Sequence, residues 1–252
     1  MSVRPVAAIG ALTLLLIGSI FYVQARDDDK LEYEHRNLVL DASQITALHA
    51  QTGAGKLRIV GVEGQQNITV EADIHRYDEV EPELKLVMED GHASFIARFN
   101  ESASWWHDSP YIDVVLTVPA NLALSVKDGS GPIAIKRMSG DMEISDGSGS
   151  LHIDGGNNLV IRDGSGSIEL RHINGNIALK DGSGSITIRD CGGDVKIADG
   201  SGSIEVNQIA GAVTINNGSG SINVTRAKSL NIVESGSGSV NYRDIEGEVS
   251  VN

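Results

Sequence analysis

What the sequence lacks excludes both internal disulfide bonds and a large aromatic core. Its 252 residues contain one cysteine, Cys191, and only three Phe, five Tyr and two Trp. A lone cysteine cannot form a disulfide within the chain, so the fold must depend on its apolar core and backbone hydrogen bonds. With so few aromatic side chains, that core is predicted to be thin and aliphatic.

Basic residues are also few, and this limits the partners of the protein. The chain carries 20 Lys and Arg against 34 Asp and Glu, a formal net charge of −14 at pH 7. A surface this acidic repels phosphate groups, so no nucleic-acid partner is expected. The same charge favours solubility, divalent cations or basic partners.

The first 25 residues are typical of an export signal. Arg4 is the only charge, an apolar run extends from Val6 to Val23, and the charged stretch that begins at Arg26 follows Ala25 directly. We predict cleavage after Ala25; the alternative is an uncleaved membrane anchor with Arg4 on the inner side. Either way the rest of the chain lies outside the cytoplasm, in the periplasm or cell envelope.

A repeated turn motif is the main signal in the chain. Asp-Gly-Ser-Gly recurs at steps of 17 or 18 residues, and the motif then continues with a changed first residue at Asn217 and Ser235. A fixed period of this size is the signature of stacked repeats. The five motif aspartates are Asp128, Asp146, Asp163, Asp181 and Asp199.

Each period contains two short alternating apolar pairs, for example Ile204 with Val206 and Val213 with Ile215. Alternation with period two predicts strands, so each coil has two strands and two flat faces. The predicted fold is an all-β, two-sided β-solenoid of about 18 residues per coil. Inward residues should stack in register, with Cys191 as a buried corner residue.

The chain divides into three predicted regions: the signal or anchor at 1–25, an N-terminal β region of wider coils and cap at 26–119, and regular coils at 120–252. Two segments, Gln51 to Ile59 and Asn67 to Val70, are assigned to wider coils. Longer strands near 84–88, 93–99 and 112–118 are assigned to an irregular β cap. The last strand leaves an open sheet edge, which predicts end-to-end self-association as one possibility.

The motif aspartates should form a column of carboxyls, and two interpretations stay open. Stacked carboxylates repel, and calcium or shared protons would relieve the repulsion. However, the column continues as Asn217 and Ser235, and what Asp, Asn and Ser share is a side-chain oxygen that caps a tight turn. The calcium-binding nonapeptide repeat needs an aspartate where this chain has residues such as Ile168 and Ile186.

No catalytic residue and no cofactor site is predicted. The outward positions mix charged, polar and apolar residues without a gathered acidic cluster, and the Gly-Ser-Gly turns join strand to strand with no helix behind them. A polar loop holds Trp105, Trp106 and His107, and these are the candidate partner-binding residues. The alternative is that both tryptophans pack as part of the cap.

The chain resembles the bacterial family named "putative adhesin", an exported β-strand-repeat domain of unknown function. The resemblance rests on the strand pair around Gly55, the strand end at Leu116-Thr117-Val118-Pro119 and the repeated Gly-Ser-Gly-Ser-Ile turns. It implies a β-solenoid at the cell envelope and supplies no catalytic residues. The expected function is a non-enzymatic binding or structural module with an envelope protein or glycan as partner; the alternative is a calcium-dependent solenoid.

Overall fold

The computed structural model describes residues 31–100 and 108–252. Every element in this part of the chain is a strand, and none of its residues forms a helix that could cross a membrane. The strands are β1 Glu32–Asp41, β2 Ala47–Thr52, β3 Leu57–Val62, β4 Asn67–Arg76, β5 Pro82–Glu89, β6 His92–Phe99, β7 Tyr111–Pro119, β8 Ala123–Asp128, β9 Ile133–Lys136, β10 Met142–Asp146, β11 Leu151–Asp154, β12 Leu159–Asp163, β13 Gly166–Ile173, β14 Ile177–Asp181, β15 Gly184–Cys191, β16 Val195–Asp199, β17 Ile204–Asn217, β18 Ile222–Glu234, β19 Val240–Ile245 and β20 Val249–Val251.

The strands build a two-sided solenoid, which confirms the predicted fold class. One face runs β5-β6-β2-β8-β10-β12-β14-β16-β17-β18-β20, and we call it the first face. The second face runs β1-β4-β7-β3-β9-β11-β13-β15-β17-β18-β19. From β6 and β7 onward all pairs are parallel. β17 and β18 turn the corner between the faces, so each contributes to both.

The core is a set of aliphatic stacks between the two faces, as the period predicts. Like residues pair in register along the axis, because each coil places the same inward positions one strand spacing further on. These stacks are Ile133, Leu151, Ile168, Ile186, Ile204, Ile222 and Val240 on the second face, and Met142, Leu159, Ile177, Val195, Val213, Leu230 and Val249 on the first.

The turns bring the backbone of neighbouring coils into direct contact. Gly184, the second glycine of its motif, has a φ of +149°, and a Cβ atom there would overlap the carbonyl oxygen of Gly166 in the preceding coil. Only glycine fits, for both steric and conformational reasons. The glycines of the repeat are therefore a packing requirement of the stack as well as a turn signal.

The coils do not stack in chain order at the N-terminal end. The coil made by β2 and β3 lies between β6 and β7 on one side and β8 and β9 on the other: Leu57 pairs with Val114 on one side and with Ile133 on the other. Strands β5, β6 and β7 match the three longer strands expected between 84 and 118.

One segment differs from its sequence assignment. Asn67 to Val70, expected in a wider coil, belongs to the ten-residue strand β4, which runs antiparallel between β1 and β7. The alternation of Ile68, Val70, Ala72 and Ile74 continues beyond the short apolar pair of a coil strand, and all four are buried. Its antiparallel pairing with β1 and β7 is what separates β4 from the coils, whose strands pair in parallel.

The last coil leaves its core positions open. Tyr242 pairs in register with Val224, which is 1% exposed, yet Tyr242 is 51% exposed. Val251 likewise pairs in register with the fully buried Ile232, yet Val251 is 44% exposed. Among the described residues β19 and β20 pair with β18 alone, so they present both apolar side chains and a free backbone edge.

Candidate functional site

The five motif aspartates form a column on the first face, which we call the aspartate column. Each is the last residue of its strand and occupies an inward position, because it follows two buried apolar residues at spacing two, as Asp163 follows Leu159 and Ile161. Direct register pairs join every neighbouring pair of the column. The members, 4% to 8% exposed, are Asp128, Asp146, Asp163, Asp181 and Asp199.

Turn contacts use only part of the hydrogen-bonding capacity of these carboxyls. The backbone N–H of Ser148 donates to Asp146 Oδ1 at 3.3 Å, and that of Ser201 donates to Asp199 Oδ1 at 3.2 Å. The Thr52 hydroxyl donates to Asp128. Both carboxyl oxygens of Asp163 and Asp181 are buried without a hydrogen-bond partner. Capping of the turn therefore accounts for the position of these residues but leaves several oxygens unsatisfied.

The environment of the column favours the protonated form of its members. Burial, followed by repulsion from Asp146 and Asp181, raises the pKa of Asp163 to about 6. Burial and the charge of Asp128 raise the pKa of Asp146 to about 6, and burial with the charge of Asp181 does the same for Asp199. The pKa values of Asp128 and Asp181 are also raised, chiefly by burial.

The column continues beyond Asp199 as Asn217, which is fully buried. Its Nδ2 lies 3.4 Å from the carbonyl oxygen of Gly202 and 3.5 Å from that of Gly220. An amide can donate to both carbonyls, which a carboxylate cannot. Beyond this coil β18 carries one extra residue after Ile232, where the register to β17 shifts.

The calcium alternative gains no support from the side-chain geometry. Within residues 31–100 and 108–252, no group of three or more His, Cys, Asp or Glu side chains converges as a metal site would require. The inward-facing column offers its oxygens one above another along the axis. Calcium takes six to eight oxygen ligands around one centre.

A second polar ladder, missed by the sequence reasoning, lines the corner where the chain enters the first face. We call it the corner ladder; its members are Asp141, Asn158, Asn176 and Asp194. A side-chain oxygen of each accepts the backbone N–H of the corresponding residue in the next coil, at 2.8 to 3.0 Å. The members recur at the same 17- or 18-residue steps as the motif aspartates, which is the signal that could have revealed them.

The outer faces carry dispersed ion pairs between neighbouring coils. Arg162 pairs with Glu143 at 2.6 Å on the first face, and His152 lies 3.0 Å from Glu169 on the second. Side chains of these residues are about 30% to 58% exposed, so each pair stabilises the fold only weakly. These ladders join coils and show no convergence on a common reaction centre.

An aromatic row on the second face was also missed by the sequence reasoning. Tyr33, His75 and Tyr111 occupy paired positions on β1, β4 and β7, and the His75 and Tyr111 rings stack with centroids 4.4 Å apart. The Tyr33 hydroxyl donates to Asp73 at 2.8 Å. Because these strands are antiparallel and lie far apart in the chain, no short motif brings the three residues together.

The single cysteine is a corner residue of the core. Cys191 is 3% exposed, pairs in register with Ile173 and Ile209, and its Sγ lies 3.2 Å from the Gly175 carbonyl oxygen. Burial raises the pKa of its thiol. Both features make it a poor nucleophile. The candidate partner-binding residues Trp105, Trp106 and His107, like the signal segment 1–25, lie outside the described residues.

The family comparison confirms the resemblance drawn from the turns. The family model described as Toastrack DUF4097 matches residues 100–251. No curated protein sequence matches the chain.

Solved structures match most of the chain, at low sequence identity and with TM-scores below 0.5. A cell adhesion protein described as putative, from Clostridium sporogenes, is 11% identical over 87% of this chain and 96% of its own, with a TM-score of 0.38. A "putative adhesin" from Bacteroides fragilis is 14% identical over 83% and 97%, with a TM-score of 0.45. A "putative lipid binding protein" from Parabacteroides distasonis is 14% identical over 87% and 97%, with a TM-score of 0.42.

Proposed function

Because the chain belongs to the Toastrack DUF4097 family of β-repeat domains, we propose that it is a non-enzymatic binding module of the bacterial cell envelope. The proposal further assigns the partner contact to the last coil, β19 and β20. Export rests on the apolar segment from Val6 to Val23 and the small residue Ala25 that follows it.

The open core of the last coil carries this proposal. Tyr242 occupies a position that is filled by the buried Val224 one coil earlier, and half of its surface is accessible. Val240, Ile245 and Val249 pack on the core but are only partly buried. An apolar surface beside unpaired backbone groups is the geometry to which an extended segment adds as a further strand.

The expected partner is therefore a protein that supplies an extended strand, with main-chain hydrogen bonds for affinity and the open apolar positions for side-chain selectivity. The same edge would accept a second copy of the chain, which is the self-association expected from the sequence. The two occupants differ in the mass of the complex that they form.

Site-specific photo-crosslinking in cells tests the proposal. A photoreactive residue replaces Tyr242 in the last coil, and in a matched variant it replaces Lys196, an exposed residue on the flat first face. Circular dichroism first verifies that both variants keep the β fold. We expect a discrete crosslinked species from position 242 and none from position 196.

The mass of the crosslinked species identifies the partner as another protein or a second copy. No crosslink from position 242, or equal crosslinking from both positions, would contradict a contact surface at the last coil. The size of the mature chain, measured on the same preparation, tests cleavage after Ala25.

A further inference from the structure

The aspartate column places ionisable side chains inside the core, where burial disfavours their charged form. We infer that the column binds protons shared between neighbouring carboxyls, and that this proton binding couples the stability of the solenoid to pH. The inference concerns the scaffold and is independent of the proposed partner contact.

Spacing and burial make five simultaneous charges unfavourable. Register pairs place the backbone of each aspartate one strand spacing, about 4.8 Å, from the next, with the side chains on the same inward side. All five are more than nine-tenths buried. Like charges this close in a poorly solvated site cannot all be ionised without a large loss of stability, and a proton on alternate members removes the repulsion.

The unpaired oxygens show where the protons fit. Asp163 and Asp181 are neighbours in the column, and all four of their carboxyl oxygens are buried without a hydrogen-bond partner. Two carboxylates can only accept hydrogen bonds, whereas a protonated carboxyl donates one. A proton on one of the two carboxyls therefore supplies the donor that a pair of carboxylates lacks.

The charges that act on the column are its own. Asp128 raises the pKa of Asp146, Asp146 and Asp181 raise that of Asp163, and Asp181 raises that of Asp199. The groups that oppose this shift are the Thr52 hydroxyl and backbone N–H groups of the turns. Near Asp163 and Asp181 these N–H groups are close enough to stabilise the charged form, but they are not in hydrogen-bonding geometry. The basic residues that precede column members are exposed and point to the outer surface: Lys127, Arg162 and Lys180.

The sign of the pH effect follows from the direction of these shifts. Asp146, Asp163 and Asp199 have folded-state pKa values of about 6 against an ordinary value of 3.8. Between those values the folded chain holds more protons than the unfolded chain, so stability falls as pH rises through this window. Carboxyls with lowered pKa values, such as Asp73 and Asp154, act in the opposite direction only at lower pH.

Thermal unfolding of the full-length protein at about pH 5 and about pH 7.5 tests the inference. We expect the wild-type Tm to be higher at the lower pH by about 4 °C or more. The double variant Asp163→Asn with Asp181→Asn should show a clearly smaller difference, because it removes two of the five carboxyls and the charge that acts on Asp199, and it should melt above the wild type at the higher pH. Asp90→Asn is the control and should behave as the wild type, because the Asp90 side chain is exposed and makes no hydrogen bond or ion pair within the described residues.

Infrared spectroscopy of the folded wild type at about pH 6 supplies a readout that does not depend on the variants folding. A carbonyl band of protonated carboxylic acid is expected there and should be absent from the unfolded chain at the same pH. A wild-type Tm that is unchanged or lower at the acidic pH, or the absence of that band, overturns the inference. So does a rise in Tm with calcium that the double variant abolishes, because the column would then bind a cation.

Discussion

Asn217 stands directly beside Asp199 in register, and it is fully buried whereas Asp199 is 6% exposed. The most enclosed position of the series thus carries an amide, with its Nδ2 directed at two glycine carbonyl oxygens. At this position of the column an amide, and not a carboxyl, donates to the glycine carbonyl oxygens.

Replacing Asn217 with Asp is expected to destabilise the protein at neutral pH. The new carboxylate would face the carbonyl oxygens of Gly202 and Gly220 and the charge of Asp199. A buried group that loses its hydrogen bonds costs about 1–3 kcal/mol, and more when it is charged. Urea unfolding measures the loss, which should shrink as the pH is lowered. Asn216→Asp on the exposed side of the same strand is the control, and equal losses in both variants would contradict the argument.

Gly184→Ala is expected to cost at least about 3 kcal/mol, or to prevent folding. Its Cβ would overlap the Gly166 carbonyl oxygen, and its φ of +149° disfavours any side chain. The neighbouring Ser183→Ala changes an exposed side chain in the same turn and should leave stability within about 0.5 kcal/mol of the wild type. Soluble yield and chemical unfolding of the two variants measure the difference. Similar stability of both would show that the turns can separate.

Asn176→Ala tests the corner ladder. Asn176 Oδ1 accepts the backbone N–H of Asp194 at 2.8 Å, and its removal leaves that donor without its partner in the fold. A loss of about 0.5–2 kcal/mol is expected, as for a lost helix cap. Asn174→Ala, two residues earlier and also exposed, makes no side-chain hydrogen bond within the described part of the chain and serves as the control. If Asn176→Ala unfolds at the same urea concentration as the control, the hydrogen bonds of the corner ladder do not contribute to the stability of the fold.

The Cys191 thiol should be protected from thiol reagents in the native protein. It is 3% exposed, and burial raises its pKa, so both access and thiolate content are low. In native buffer we expect modification no faster than unfolding, and complete reaction in denaturant. A colourimetric thiol assay follows both rates. Rapid stoichiometric modification of the folded chain would place the thiol at the surface.

The regular coils could be predicted because a single period fixes them. Once the Asp-Gly-Ser-Gly turns are aligned, alternation determines which residues point inward, and the register of Ile168 with Ile186 follows. The coil assignment of Asn67 to Val70 was wrong, because four residues of alternating sequence look alike in a coil strand and in a long antiparallel strand. What distinguishes β4 is its antiparallel pairing with β1 and β7, which depends on residues far away in the chain.

The candidate site was predictable in position but only partly in chemistry. The repeat alone predicts that the aspartates form a column. Their burial could not be read from the turn motif, because it depends on each aspartate being the last inward-facing residue of its strand. The row of Tyr33, His75 and Tyr111 depends on antiparallel pairing over long separations. Such pairing leaves no local pattern in the sequence.

The enclosed position of the β2–β3 coil dictates an order of assembly. Thr52 and Asp128 are in contact although they lie 76 positions apart, so β2 cannot pair with β8 until about half of the 252 residues have been synthesised. Contacts of such long range form slowly, because the intervening chain must first be ordered. The N-terminal strands of the solenoid therefore keep unpaired edges until later strands are available. Unpaired edges promote aggregation, so the protein is most vulnerable to it during this interval.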